Sequence, residues 1–376
     1  MSRLDKIKSK FDELHIDSFL IKKLPNIRYI TGFSGSAASV LLTIDKNYFI
    51  TDFRYKTQSG QEVSKDFEVI IYTQNSDMFL NDIISKHKLK SIGFESNFLT
   101  FAEAENIAKI LSKETHGFKK VKGMENEKIQ WNTHVKFVPV DSLIENITIV
   151  KNESEIDLTM KAVEITDKTF TELLNIIKPG MTEREVSAEI SYLQKKFGAD
   201  GDSFDAIVAS GERSAFPHAR ATDKIINNGE LLKLDFGCTV QGMKSDLTRT
   251  IAIGNVNGEL RKIYDIVKDA QQRALDNVKA GISGKVLDAV ARDYIKEKGY
   301  GNNFGHGLGH GLGYDIHEKP SINERCEYEL EINNIVTIEP GIYLEGLGGV
   351  RIEDDIVVKE NGCDVLNKST KEFITL

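Results

Sequence analysis

The stretch 232-LKLDFGCTVQGMKSD-246 places two aspartates, Asp235 and Asp246, on either side of a hairpin turn at Gln241-Gly242. Alternation along the first strand gives Leu232 and Leu234 one face and Lys233, Asp235 and Gly237 the other. For a two-residue turn at Gln241-Gly242, opposed residue numbers sum to 483, so Asp235 faces Thr248. Asp246 then lies diagonally from Asp235 on the same face, within roughly 7–8 Å. Two like charges so placed repel each other unless something positive lies between them. A lysine, a proton or a metal ion would each serve.

The same pattern returns further along the chain. "LLKLDFG" (231–237) reappears at a shift of 104 residues as "IVTIEPG" (335–341), so Asp235 corresponds to Glu339. Eleven residues after Asp235 comes Asp246, and fourteen after Glu339 comes Glu353, each expected on the return strand of a hairpin. An earlier echo, at a shift of 101, relates "LLNIIKPGMTEREVSAEI" (173–190) to "ALDNVKAGISGKVLDAVA" (274–291). Each is a helix end, a Lys-x-Gly stop and a second helix. Thr182 with Glu185 reads as a capping box, and Gly180 and Gly281 sit where a helix needs a left-handed stop. These echoes predict a duplicated α+β unit whose four acids meet at a pseudo-twofold axis.

Four carboxylates cannot all ionise in a partly buried site without cations. Oxygen-rich sets favour hard or borderline divalent metals, and an added imidazole shifts the choice from Ca toward Mn, Co, Fe or Zn. Imidazoles are at hand in "NFGHGLGHGLGYDIHEKP" (303–320), where glycine at every second position disfavours a regular helix. His306 and His310 point the same way there. They would stand roughly 13 Å apart in an extended chain, so one of them could serve a given metal, and the spacing leaves both open. Plainer readings exist for each residue alone: Glu353 could pair with Arg351, and Asp246 could be a turn residue. The glycine run lacks the GxxxxGK[ST] and following helix of a phosphate loop.

Bulk properties set the wider frame. A length of 376 residues exceeds one usual core and predicts two domains. The net charge of −8 gives no electrostatic case for nucleic acid or an anionic membrane. No run approaches the roughly 18 apolar residues of a membrane span. The opening "MSRLDKIKSKFDELHI" reads as an amphipathic helix rather than a signal peptide. Three widely separated cysteines, Cys238, Cys326 and Cys363, fit a reduced, cytoplasmic compartment. In the first third, strands are expected at Ser18–Ile21, Ala38–Ile44, Tyr48–Thr51, Phe67–Tyr72, Ser91–Phe94 and Phe137–Val140, and helices at 3–14, 53–64, 77–87 and 101–114. This is an α/β pattern. Segment 115–135 has no clear period and is expected as a loop or insertion. The change to long helices near residue 146 divides the chain into 1–146 and 147–376.

"LDFG…SDLTRT", "GHGLGHGLGYDIHE", "TIEPGIY" and "GVRIEDDIVV" together resemble the five-ligand pattern of the M24 metallopeptidases, the pita-bread family of aminopeptidase P, prolidase and methionine aminopeptidase. "PNIRYITGFSGSAA" (25–38) and "ITDFRY" (50–55) resemble the N-terminal domain of bacterial aminopeptidase P. The resemblance implies a creatinase-like N-terminal domain over 1–146 and a pita-bread catalytic domain over 147–376. It also implies a homodimer and two divalent ions, usually manganese or cobalt, with zinc or iron as alternatives. Asp246 and Glu353 would bridge the ions, Asp235 would complete one, and His310 with Glu339 the other. Glu339 would accept a proton from water, His218 and His317 would bind substrate and stabilise the tetrahedral intermediate, and His306 and Arg351 would shape the pocket. The implied substrate is a peptide with proline second. The expectation is a Xaa-Pro aminopeptidase; the nearest rival is a Xaa-Pro dipeptidase, and a remote one is a non-catalytic binding protein on the same fold.

Overall fold

The hairpin register follows the turn at Gln241-Gly242. Val240 pairs with Met243, Thr239 with Lys244, and, further down, Asp235 with Thr248. Gln241 (φ 47°) and Gly242 (φ 93°) both take the left-handed conformation that a tight two-residue hairpin of the I′ type requires. The computed structural model describes residues 2–72, 78–112, 115–119, 127–131 and 135–376. The chain divides into two units, Met1–Ile147 and Thr148–Leu376. Among the described residues, no helix is long and apolar enough to cross a membrane.

The first unit is built on a mixed six-stranded sheet, in the order Phe67–Tyr72, Asn47–Asp52, Ala38–Thr43, Ser18–Ile21, Ser91–Glu95 and Lys136–Val140. Leu20, Leu41, Tyr48, Ile50 and Ile92 of the sheet pack with Ile83 and Ile84 of helix Met78–His87 and with Ile107 and Leu111 of helix Phe101–Ser112. Three expectations need correction. The first helix is two, Arg3–Lys8 and Phe11–Leu14. The region 53–64 opens with a 3₁₀ turn, Phe53–Tyr55, started by the Asp52 carboxylate accepting from the Arg54 N–H, and only then becomes helix Lys56–Glu62. Helix Leu24–Thr31 was not foreseen, although Pro25 in its first turn and Gly32 (φ 81°) at its end mark its limits. Segment 115–135, expected as a loop or insertion without regular structure, contains an antiparallel ladder between Thr115–Lys119 and Glu127–Trp131; its remaining residues, apart from Val135, and residues 77, 113 and 114 of the expected helices, lie outside the described residues.

The second unit shows the duplication. Helices Glu153–Ile176 and Glu183–Lys196 cover the strands Ile207–Ser210, Glu230–Phe236 and Leu247–Ile253 through Phe170, Leu173, Val186, Ile190, Leu232, Leu234 and Phe236. Helices Gly258–Asn277 and Gly284–Glu297 do the same for Ile335–Ile338 and Asp354–Lys359 through Ile263, Val267, Ala270, Leu287, Val336, Ile338 and Ile356. The helix breaks match as well. Gly180 (φ 97°) and Gly281 (φ 84°) are left-handed, and Thr182 and Ser283 cap the helices that follow. Strand Ile335–Ile338 pairs with Asp354–Lys359 on one side and with Gly309–Gly311 on the other. Because one strand face of each half is spent on the helices, the opposite faces, which carry Lys233, Asp235 and Thr337, are free to line a common centre.

Candidate metal centre

The five expected ligands stand at the ends and breaks of these strands. Asp235 lies in Glu230–Phe236, His310 in the middle of Gly309–Gly311, and Glu339 directly after Ile338. Asp246 and Glu353 are not on the return strands, as expected, but one residue before each, ahead of Leu247 and Asp354. There the backbone has left its ladder, and each half uses the other to satisfy it. The Asp246 N–H donates to Asp355 Oδ2 at 2.8 Å, and the Glu353 N–H donates to the Thr248 carbonyl at 3.1 Å.

One donor atom each from Asp246, His310 and Glu353 lies within 4.8 Å of the others. The His310 Nδ1–H donates to the Gly311 carbonyl at 3.0 Å, which leaves the Nε2 lone pair bare. That lone pair stands 3.5 Å from Glu339 Oε1 and 3.7 Å from Asp246 Oδ2. Burial pushes the His310 pKa down to about 4, so at neutral pH the imidazole itself brings no proton to this meeting of lone pairs. Asp246 Oδ1 is buried with no hydrogen-bond partner among the described residues. Burial, then the Glu353 and Asp235 charges, hold the Asp246 carboxyl well above the ordinary aspartate range. Glu353 is likewise raised by burial and by Glu339 and Asp235. A convergent set of buried oxygens and one imidazole nitrogen, with an orphaned acceptor, is satisfied by a cation, and the residues therefore fit a divalent metal.

Asp235 and Glu339 also face Arg351. The guanidinium makes a short ion pair with Asp235, stands 3.9 Å from Glu339 Oε2, and donates from Nε to Thr248 Oγ1 at 3.1 Å. Thr248 Oγ1 in turn donates to Glu353 Oε2 at 2.6 Å. Arg351 Nη1 donates to the Tyr343 hydroxyl at 2.9 Å, Tyr343 donates to His306 Nε2 at 2.8 Å, and the His306 Nδ1–H donates to the Gly307 carbonyl at 2.8 Å. Every donor in this chain is fixed by the carbonyl at its end. Burial, with Arg351 nearby, holds His306 neutral by pushing its pKa down to about 3. Among the described residues, His306 is hydrogen-bonded toward the centre through Tyr343.

The two remaining histidines are exposed. The ring of His317 lies 4.4 Å from that of His310. His218 follows Pro217, whose carbonyl accepts from Arg351 Nη1 at 3.1 Å. Lys233, fully buried beside Asp235, is held well below the usual lysine range by burial and by Arg351. Sequence reasoning gave no role to Tyr343, Thr248, Thr337 or Lys233. Tyr343 shares the two-residue alternation of Glu339 and Gly341, and that period was the available signal.

Residues 157–360 match metallopeptidase family M24, and residues 3–129 match the creatinase/prolidase N-terminal domain. The chain belongs to metallopeptidase family M24. A Xaa-Pro dipeptidase of Pyrococcus horikoshii is 37% identical over 99% of this chain and 98% of its own length. Among solved structures, a Xaa-Pro dipeptidase from Bacillus anthracis is similar with a TM-score of 0.91 and 39% identity, covering 100% of this chain and 99% of that one. An X-Pro aminopeptidase from Thermotoga maritima follows with a TM-score of 0.86 and 37% identity, covering 98% and 100%. The architecture is therefore a creatinase-type N-terminal domain joined to the pita-bread catalytic fold, as the motifs implied.

Proposed function

We propose that this protein is a metal-dependent Xaa-Pro dipeptidase, with residues 1–146 as its N-terminal domain and 147–376 as its catalytic domain. This replaces the aminopeptidase expectation, because the relatives named above include Xaa-Pro dipeptidases on both the sequence and the structural side, at 37–39% identity. The observation that carries a metallohydrolase is the meeting of donor atoms from Asp246, His310 and Glu353, beside which Asp246 Oδ1 is left without a partner among the described residues.

Asp235, Asp246, His310, Glu339 and Glu353 would hold two divalent ions, manganese first among Mn, Co, Zn and Fe. Ions in such a site activate water and polarise a carbonyl near neutral pH. The chain's own groups do the rest. Glu339, whose carboxyl burial raises above the ordinary glutamate range, takes up the water's proton and passes it toward the leaving proline nitrogen. His218 and His317 donate hydrogen bonds to the oxygen of the scissile carbonyl as it gains charge. Arg351, fixed by Asp235, Thr248 and Tyr343, keeps the acids in register.

A cleft of about 330 Å³ lies beside His306, lined by Arg292, Phe304, Asn323, Glu324 and Arg325, and we propose it as the place where the far end of a short substrate is held. Arg292 is committed to Asp288, whereas Arg325 is exposed and joins no ion pair among the described residues. A free carboxylate on the residue after the scissile bond is the group such a guanidinium suits. We place the enzyme in the cytoplasm, as a homodimer. The test compares a Xaa-Pro dipeptide with the matching Xaa-Pro-Yaa tripeptide on manganese-loaded protein. Turnover confined to the dipeptide supports the proposal, equal turnover of the tripeptide returns the choice to an aminopeptidase, and hydrolysis by metal-stripped protein rejects the mechanism.

A further inference from the structure

Lys233 is buried completely, on the strand face it shares with Asp235, yet no ion pair reaches it among the described residues. Its amino group donates instead to three carbonyls of the segment that leads from the 3₁₀ turn Gly211–Ala215 to His218: Phe216 at 2.7 Å, Ser214 at 3.1 Å and Pro217 at 3.4 Å. The same Nζ sits 5.1 Å from the centroid of the Tyr343 ring. Burying an amine is costly unless its N–H groups are satisfied, and among the described residues it is the backbone before His218 that satisfies them. Arg351 grips that backbone from the other side, at the Pro217 carbonyl. His218 itself is exposed, so its place is set by the segment that leads into it.

We propose that Lys233 is a positioning residue: by binding the Ser214, Phe216 and Pro217 carbonyls it fixes the loop that presents His218 to the substrate. The inference rests on the reading of His218 as a substrate-binding group given above. A cation serving only to fill the core would have no reason to choose the carbonyls of a loop that leads to an exposed imidazole, and it would act on stability alone.

The experiment is a double-mutant cycle of Lys233→Met with His218→Ala, on protein loaded with manganese to the parent's stoichiometry. In the parent background Lys233→Met lowers kcat on a Xaa-Pro dipeptide about 10- to 100-fold with KM changed less than about threefold. In the His218→Ala background the same substitution changes kcat less than about threefold. Equal fold losses in both backgrounds, or a His218→Ala protein as active as the parent, overturn the proposal. Should Lys233→Met fail to fold, Lys233→Gln, which keeps one donor group, takes its place in the cycle. Amide hydrogen exchange on metal-free protein gives a reading independent of turnover. Exchange that quickens at Ser214–Ala219 and not elsewhere supports the proposal; unchanged exchange there, or a uniform rise across the chain, refutes it even if no Xaa-Pro peptide is a substrate.

Discussion

Gly309→Ala tests how closely two neighbouring strands of the second half pack at the centre. A β-carbon at Gly309 would stand 1.9 Å from the Thr337 carbonyl oxygen and 2.8 Å from its carbon. The obstacle is main chain, so no rotamer change relieves it. Restoring even a 3.0 Å contact obliges the two backbones to part by about 1.1 Å. The strand Gly309–Gly311 carries His310, and Glu339 follows two residues after Thr337. The His310 N–H also donates to Thr337 Oγ1 at 3.1 Å, and that bond is strained by the same movement. Overpacking of this size costs about 1–3 kcal/mol of stability. A displacement of about 1 Å is half a metal–ligand bond, so metal uptake should weaken at least about tenfold and kcat fall by about 100-fold. Gly305, in the same run, has open space where its β-carbon would go. Gly305→Ala should therefore keep its stability within about 0.5 kcal/mol of the parent. Urea melts of the three metal-free proteins, followed by metal analysis after dialysis against graded Mn²⁺, give both quantities. A Gly309→Ala protein that matches Gly305→Ala in both would show that the close approach does not hold His310 and Glu339 together.

Other consequences are as direct. Asp246→Ala or Glu353→Ala should remove bound metal and peptide hydrolysis together, as read by elemental analysis beside a dipeptide assay; hydrolysis retained without metal would contradict the ligand assignment. Arg249 is buried and donates to Asp354 Oδ1 at 2.6 Å and to the Glu353, Ser369 and Thr370 carbonyls; its replacement by Met strips all four acceptors of that donor, although Asp354 Oδ2 keeps Lys371 and Gln271. The expected loss is about 3–5 kcal/mol by denaturant titration. Burial raises the Glu95 carboxyl to about 7 against the three N–H donors around it, from Lys22, Lys23 and Asn26. The folded chain then keeps a proton that the unfolded chain releases above about pH 4.5, so this contribution is full below that pH and is lost as pH rises toward 7. Glu95→Gln should flatten the dependence of melting temperature on pH between 5 and 8, a dependence that corresponds to at most about 3 kcal/mol of stability over the whole range; an unchanged dependence would refute the assignment to Glu95.

What the sequence disclosed and what it withheld divide along one physical line. Alternation and turn chemistry are local, so the Gln241-Gly242 turn was enough to place Asp235 opposite Thr248, and repetition carried the same logic to Glu339. The capping residues Thr182 and Glu185 and the stops Gly180 and Gly281 were legible for the same reason. The first positive group beside Asp235 was not legible in this way. Arg351 arrives from a strand 116 residues away, and a pattern within either segment cannot reveal that meeting. Asp246 and Glu353 were misplaced by one residue because their backbones leave the ladder to bond across the pseudo-twofold axis, to Asp355 and Thr248. The glycine run shows the limit most sharply. Its period spoke only against a helix, whereas Gly309 and Gly311 answer to carbonyls of Thr337 and Lys319 on neighbouring strands, and Gly305 answers to nothing. Three glycines of one alternating run therefore carry different constraints, and the tertiary partner of each decides which of them the metal centre needs.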